Sequence, residues 1–246
     1  QVVAQAQRVL EQAEAIREMA SFGQDQLAAP LRVGAIYTIG PYLFPKLVLT
    51  LNDEAPRIPL IIEENYTAVL AEKLKRGEQD VLIISLPFEG AGIETRPLYE
   101  EPFVALLPAG HRWEGRREID PRRLEDERVL LLGAGHCFRD QVVDACPGCL
   151  RQAHAEKGGI QGNFDGGSLE TMRYMVASGL GITVLPSTAT GPDCFPEGML
   201  CVKPFKNPPP SRTVALAWRR SFPRPKAVDA LAQAILDCGL QGVRQV

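Results

Sequence analysis

Between Leu31 and Ser85 the hydrophobic pattern alternates between two periods, and few folds accommodate that order. Leu31–Tyr37 alternates with the two-residue period of a strand, and Pro41–Leu51 follows a helical period with Pro41 and Pro45 near its first turn. Ile58–Glu64 is again strand-like. Ala68–Arg76 is helical, with Thr67 placed to cap it and Gly77 to stop it. Asp80–Ser85 closes the block as a short, apolar, buried strand. Strand–helix–strand–helix–strand in this order predicts a parallel sheet with right-handed crossovers, hence an α/β protein.

A second α/β block follows. Pro102–Leu107, Arg128–Leu132, Gly158–Phe164, Gly181–Leu185, Leu200–Phe205 and Thr213–Arg219 read as strands. Arg139–Ala145, Ser168–Ala177 and Lys226–Cys238 read as helices. The chain is expected to leave a first lobe near Glu100 and return to it near the proline-rich Pro208–Pro210, giving lobe I as 28–100 with 208–246 and lobe II as 101–207. Two crossings predict a cleft between the lobes, where small molecules tend to sit.

Residues 1–27 carry a different signal. Val2, Ala6, Val9, Ala13, Ile16 and Ala20 recur at spacings of 4 and 3, the seam of a coiled coil. Such a stripe needs a partner, either its own domain or a second copy. The absence of an initiator Met ahead of it predicts that the chain is part of a longer one.

Composition narrows the functional classes. With 27 Lys+Arg against 30 Asp+Glu, and a net charge of −3, the chain is not a basic nucleic-acid wrapper. No apolar run reaches the ~18 residues of a membrane span, and no export signal precedes the first helix. A cytoplasmic location is therefore expected. Six cysteines are too few for a disulfide scaffold at this length, yet three fall between positions 137 and 149.

In that segment Cys137 follows a glycine-rich loop and opens a helix, a position that favours the thiolate. His136 and Arg139 flank it, and Cys146 lies at the helix's far end. Nine helical residues span about 13.5 Å, whereas a disulfide needs Cα atoms about 4.4–6.8 Å apart. If the stretch is helical when reduced, a bond between Cys137 and Cys146 requires unwinding, and such a bond would be a switch rather than a staple. Three other readings stay open: buried apolar cysteines, a zinc site built on Cys146 and Cys149 with His136, Cys137 and His154 nearby, and a thioredoxin-like dithiol. The last expects its Cys-x-x-Cys to begin a helix, whereas this one ends it.

The run His136-Cys137-x-Arg139-Asp140-Gln141 with Cys146 resembles the hydrogen-peroxide-sensing (OxyR) branch of the LysR-type transcriptional regulators. The likeness extends to Arg17–Ala20, Thr38–Pro45, Thr67, Ser168–Thr171 and Gly181–Pro186, in order. It implies two periplasmic-binding-protein-like (type 2) lobes preceded by the end of a linker helix, with the winged helix-turn-helix upstream. It implies Cys137 as the peroxide-reacting thiol and Cys146 as the resolving one, with Thr38, Thr67, His136, Asp140 and Arg212 around the peroxide. Each has a plainer role available: helix cap for Thr67, loop histidine for His136, first-turn carboxylate for Asp140, salt-bridge partner for Arg212. Cys149 departs from the pattern and offers an alternative resolving thiol.

The resemblance implies no cofactor or metal, no enzymatic turnover, and no membrane contact. It implies hydrogen peroxide, promoter DNA, RNA polymerase and further copies of the chain as partners, dimeric through the lobes and tetrameric in the full-length protein. Two alternatives remain at this stage: a LysR-type regulator whose cleft binds a small organic ligand, and a thiol peroxidase. An exported solute-binding protein is disfavoured by the missing signal.

Overall fold

A computed structural model describes residues 9, 13, 26–56, 58–149, 167–191 and 198–246. The expected linker helix over 1–27, apart from residues 9, 13, 26 and 27, and the expected strand Gly158–Phe164 lie outside the described residues, as do Cys194 and His154. The chain divides into two compact units. The first runs to Tyr99 and adds Val214–Leu240 and Gln245–Val246; the second comprises Glu100–Thr213 and Gln241–Arg244.

In the first unit β1 (Leu31–Ile36) pairs in parallel with β2 (Leu60–Asn65) on one side and β3 (Val81–Ser85) on the other. The crossovers are α1 (Gly40–Glu54) and α2 (Thr67–Lys75). All five residues of β3 are buried, the continuous apolar run typical of a central strand. The expected βαβαβ block is therefore present, with one change. Thr67 is the first residue of α2 rather than its cap; Tyr66 occupies the cap position, and Asn65 Oδ1 accepts the Tyr66 N–H at 2.9 Å. The C-terminal helix α5 (Pro225–Asp237) packs on α1. The Arg224 guanidinium donates to the carbonyls of Gln26, Ala29 and Pro30, fixing the chain where it enters β1.

The second unit is built on β4 (Ile93–Pro108), which starts nine residues before the expected Pro102 and continues out of the first unit. Pro97 and the charged Glu94 and Arg96 hide that early half from a hydrophobic reading. β4 pairs antiparallel with β6 (Ile182–Pro186) and with β7 (Leu200–Pro204), and the two-residue β5 (Val129–Leu130) pairs in parallel with β6. α3 (Cys137–Ala145) follows β5. α4 (Leu169–Ala177) is capped by Ser168, whose Oγ accepts the Thr171 N–H at 3.2 Å.

β8 (Ser211–Arg219) belongs to both units. Its Val214–Trp218 stretch pairs antiparallel with β3, while Arg212 forms an ion pair with Glu101 of the second unit. The units consequently part between Thr213 and Val214, whereas the sequence pattern puts the return near Pro208.

Candidate redox site

α3 begins at Cys137 itself, two residues earlier than the periodicity suggests. His136 takes the N-cap position with an extended backbone, φ −84° and ψ 113°. Gly135 before it has φ +96°, a left-handed conformation that side-chain-bearing residues rarely adopt. The glycine lets the loop leaving β5 turn sharply enough to start a helix at the next residues. Cys137 is half-buried at the first helical position, beside the N–H groups that a helix leaves unbonded at its start. Asp140 occupies the first turn and is exposed; its carboxylate makes no hydrogen bond or ion pair among the described residues.

Cys146 caps the other end of α3, its N–H donating to the Val142 carbonyl at 3.0 Å. The helix is thus unbroken between the two thiols, and no disulfide joins any of the described cysteines. The spacing of about 13.5 Å that an α-helix imposes over this length applies in full.

His136 is buried, and burial pushes its imidazole pKa below the ordinary value, opposed by a hydrogen bond to the Gly167 backbone. The ring beside Cys137 therefore favours its neutral form, able to donate at one nitrogen and accept at the other.

Beyond Cys137, Phe138 points into the core. Its ring meets Phe103 edge-on at 4.9 Å, and the Arg212 guanidinium lies over its face at 5.3 Å. Arg212 Nε donates to Glu101 Oε2 at 2.7 Å with both side chains fully buried. Glu101 also accepts from the Thr188 N–H at 3.1 Å and from the Thr188 hydroxyl. Arg212 is thus brought to the start of α3 through Phe138, with Thr188 holding Glu101 and Phe103 holding Phe138 beside it. Sequence reading missed those four. A signal existed: the two-residue alternation of β4 puts Glu101 on the same face as buried Phe103 and Ala105.

Thr38 and Thr67 belong to the first unit. They follow the C-terminal ends of β1 and β2, which are neighbours in register as far as Ile36 and Asn65. The rings of Tyr37 and Tyr66, each next to one threonine, meet at 5.2 Å edge-on. Thr38 is buried and Thr67 half-buried, at the carboxyl edge where open α/β sheets bind ligands.

Cys149 is buried one turn past Cys146. Cys146-Pro-Gly-Cys149 forms a turn closed by the Cys149 N–H on the Cys146 carbonyl at 3.1 Å. A Cβ on Gly148 would sit 2.5 Å from Glu125 Cβ, so this close approach needs glycine. Interaction with the Cys149 thiol lowers the Cys146 pKa, and the Gly148 and Cys149 N–H groups act in the same direction. Together they outweigh burial and lower Cys146 to about 7, while interaction with Cys146 and burial push Cys149 up. Of the other thiols, Cys238 donates to the Ala234 carbonyl at 3.1 Å and Cys201 lies in β7. Among the described residues no group of three or more His, Cys, Asp or Glu could hold a metal ion.

Residues 24–238 match the family model of the LysR substrate binding domain. The hydrogen peroxide-inducible genes activator of Dickeya chrysanthemi is 34% identical over 234 residues, spanning 95% of this chain and 74% of that protein. A full-length OxyR of Pseudomonas aeruginosa bearing one cysteine-to-aspartate substitution superimposes with a TM-score of 0.83 at 51% identity, covering 100% of this chain and 78% of that one. Reduced and oxidised OxyR structures, each 32% identical and covering 87% of this chain and 97% of theirs, give TM-scores of 0.75 and 0.71. The chain belongs to the LysR substrate binding domain family and, within it, to the OxyR regulators.

Proposed function

We propose that the chain is the regulatory part of a peroxide-responsive transcriptional regulator, switched by a disulfide between Cys137 and Cys146. The observation that carries this reading is α3 itself: one thiol opens the helix, the other caps its end, and the helix holds them apart. Cys137 thiolate attacks one peroxide oxygen, the O–O bond breaks, and hydroxide leaves and is protonated to water. The cysteine becomes a sulfenic acid. Cys146 sulfur, already eased toward the thiolate by its turn, then attacks the Cys137 sulfur. The S–S bond forms, the S–OH bond breaks, and a second water departs. α3 must unwind for that step, which changes the surface of the second unit.

Thr38 and Thr67, with neutral His136, are the groups proposed to hold the peroxide oxygens, and Asp140 to take part in the proton's path. Arg212, fixed by Glu101 and stacked on Phe138, supplies a buried cation near the start of α3. The chemistry is stoichiometric, as suits a sensor rather than an enzyme. Promoter DNA is contacted by a module outside this chain, RNA polymerase responds to the re-spaced assembly, and the site of action is the cytoplasm. No helix among the described residues is long and apolar enough to cross a membrane. For the oligomer, the edge strand β2 with α1 offers exposed Val48, Leu49 and Ile62 around Phe44 and Pro45, an apolar face that a second copy would cover.

One equivalent of hydrogen peroxide should yield a Cys137–Cys146 linked peptide, abolished by Cys137→Ser. In Cys146→Ser a dimedone adduct should accumulate on Cys137. Full disulfide formation without Cys137 would overturn the scheme.

A further inference from the structure

We propose that Cys149 resets the switch: it attacks Cys146 within the Cys137–Cys146 disulfide, moves the bond to Cys146–Cys149, and returns Cys137 as a free thiol at the start of a re-formed α3. This rests on the disulfide switch proposed above and adds a third thiol to it.

The geometry distinguishes the two disulfides that Cys146 can make. The turn Cys146-Pro147-Gly148-Cys149 is closed by an i+3 to i hydrogen bond, and such turns bring their outer Cα atoms within about 7 Å. That overlaps the range a disulfide needs, about 4.4–6.8 Å. The turn holds both thiols buried, and Gly148 seats it against Glu125. A Cys146–Cys149 bond therefore fits with α3 intact. The Cys137–Cys146 bond does not, because it must break the helix that carries Phe138 to Phe103 and Arg212. Re-forming those contacts drives the exchange toward Cys149.

The step is redox-neutral. Cys149 loses its proton and its sulfur forms the new bond to Cys146; the Cys137–Cys146 bond breaks, and Cys137 leaves as the thiolate and takes up a proton. In the reduced fold interaction with Cys146 holds the proton on Cys149. Once Cys146 is in a disulfide it carries no charge, and that hold on the Cys149 proton is released. The activated state is thus a pulse. The oxidising equivalent ends in a buried pair, and a second peroxide finds Cys137 without a resolving thiol until an external reductant acts.

The test is a time course after one equivalent of hydrogen peroxide, without reductant, quenched by alkylation in acid. Trypsin cleaves after Arg139, so the Cys137–Cys146 bond links two peptides, whereas the Cys146–Cys149 bond leaves one peptide two hydrogens lighter. The linked pair should form first and decay as the single oxidised peptide grows at the same rate. In Cys149→Ser, checked for native circular dichroism, the linked pair should persist at least tenfold longer. A linked pair that decays equally in both proteins, or never passes to Cys149, overturns the reset and leaves the switch standing. If Cys137 is never oxidised, both fall.

Discussion

Arg212 and Glu101 carry opposite charges with no side-chain exposure to water. Removing one partner of such a pair strands the other charge and costs about 3–5 kcal/mol. Glu101→Gln and Arg212→Met are each expected to lower the melting temperature by roughly 10 °C or more, read by calorimetry. A change within about a degree would show that the pair is dispensable. His136 contributes in the opposite sense to an ion-paired histidine. Its folded pKa is depressed, so below the ordinary value of 6.5 the unfolded chain takes up a proton that the folded one resists. Its contribution is complete above pH 6.5 and is lost as pH falls toward the depressed value. Urea denaturation between pH 5 and 8 should show a slope that His136→Gln reduces; an unchanged slope would contradict the assignment. At this scale the sequence disclosed the thiols, because cysteine has few roles near a helix start. It left Glu101 unread, because a carboxylate beside a proline looks solvated until the strand's alternation places it inward.

α3 sets the barrier between the two thiols, so its stability should set the rate of disulfide closure. Gln141→Gly weakens the helix interior by about 1 kcal/mol, which should speed formation of the Cys137–Cys146 bond about fivefold. Asp144 lies in the last turn, where the helix dipole disfavours an acid. Asp144→Lys should slow closure about twofold to fivefold, for about 0.3–1 kcal/mol of added stability. Stopped-flow oxidation read by quenched alkylation checks both; equal rates in all three proteins would mean that α3 is already open when Cys146 attacks. Periodicity revealed most elements because each buries one face, as β3 and α5 do. It failed at element ends. The helix starts at Cys137 because Gly135 makes the turn, and Thr67 enters α2 because Asn65 already takes the Tyr66 N–H. Those are local hydrogen-bonding choices that hydrophobicity does not encode.

At the scale of the molecule, the two-unit division follows from β4 and β8, each passing through both units. The sequence placed the first crossing near Glu100, where the units part, but not the return between Thr213 and Val214, because a continuous strand carries no composition break. The apolar face at Val48, Leu49 and Ile62 predicts self-association. Ile62→Glu should shift the sedimentation mass toward the monomer at micromolar concentration, and an unchanged mass would place the contact elsewhere. The central claim is that oxidation melts α3 to join its two ends. Hydrogen exchange of the Phe138–Ala145 amides, followed by mass spectrometry before and after one equivalent of peroxide, tests it most directly. The expected result is protection in the reduced protein and its loss in step with the Cys137–Cys146 bond. A disulfide formed while those amides stay protected would contradict it.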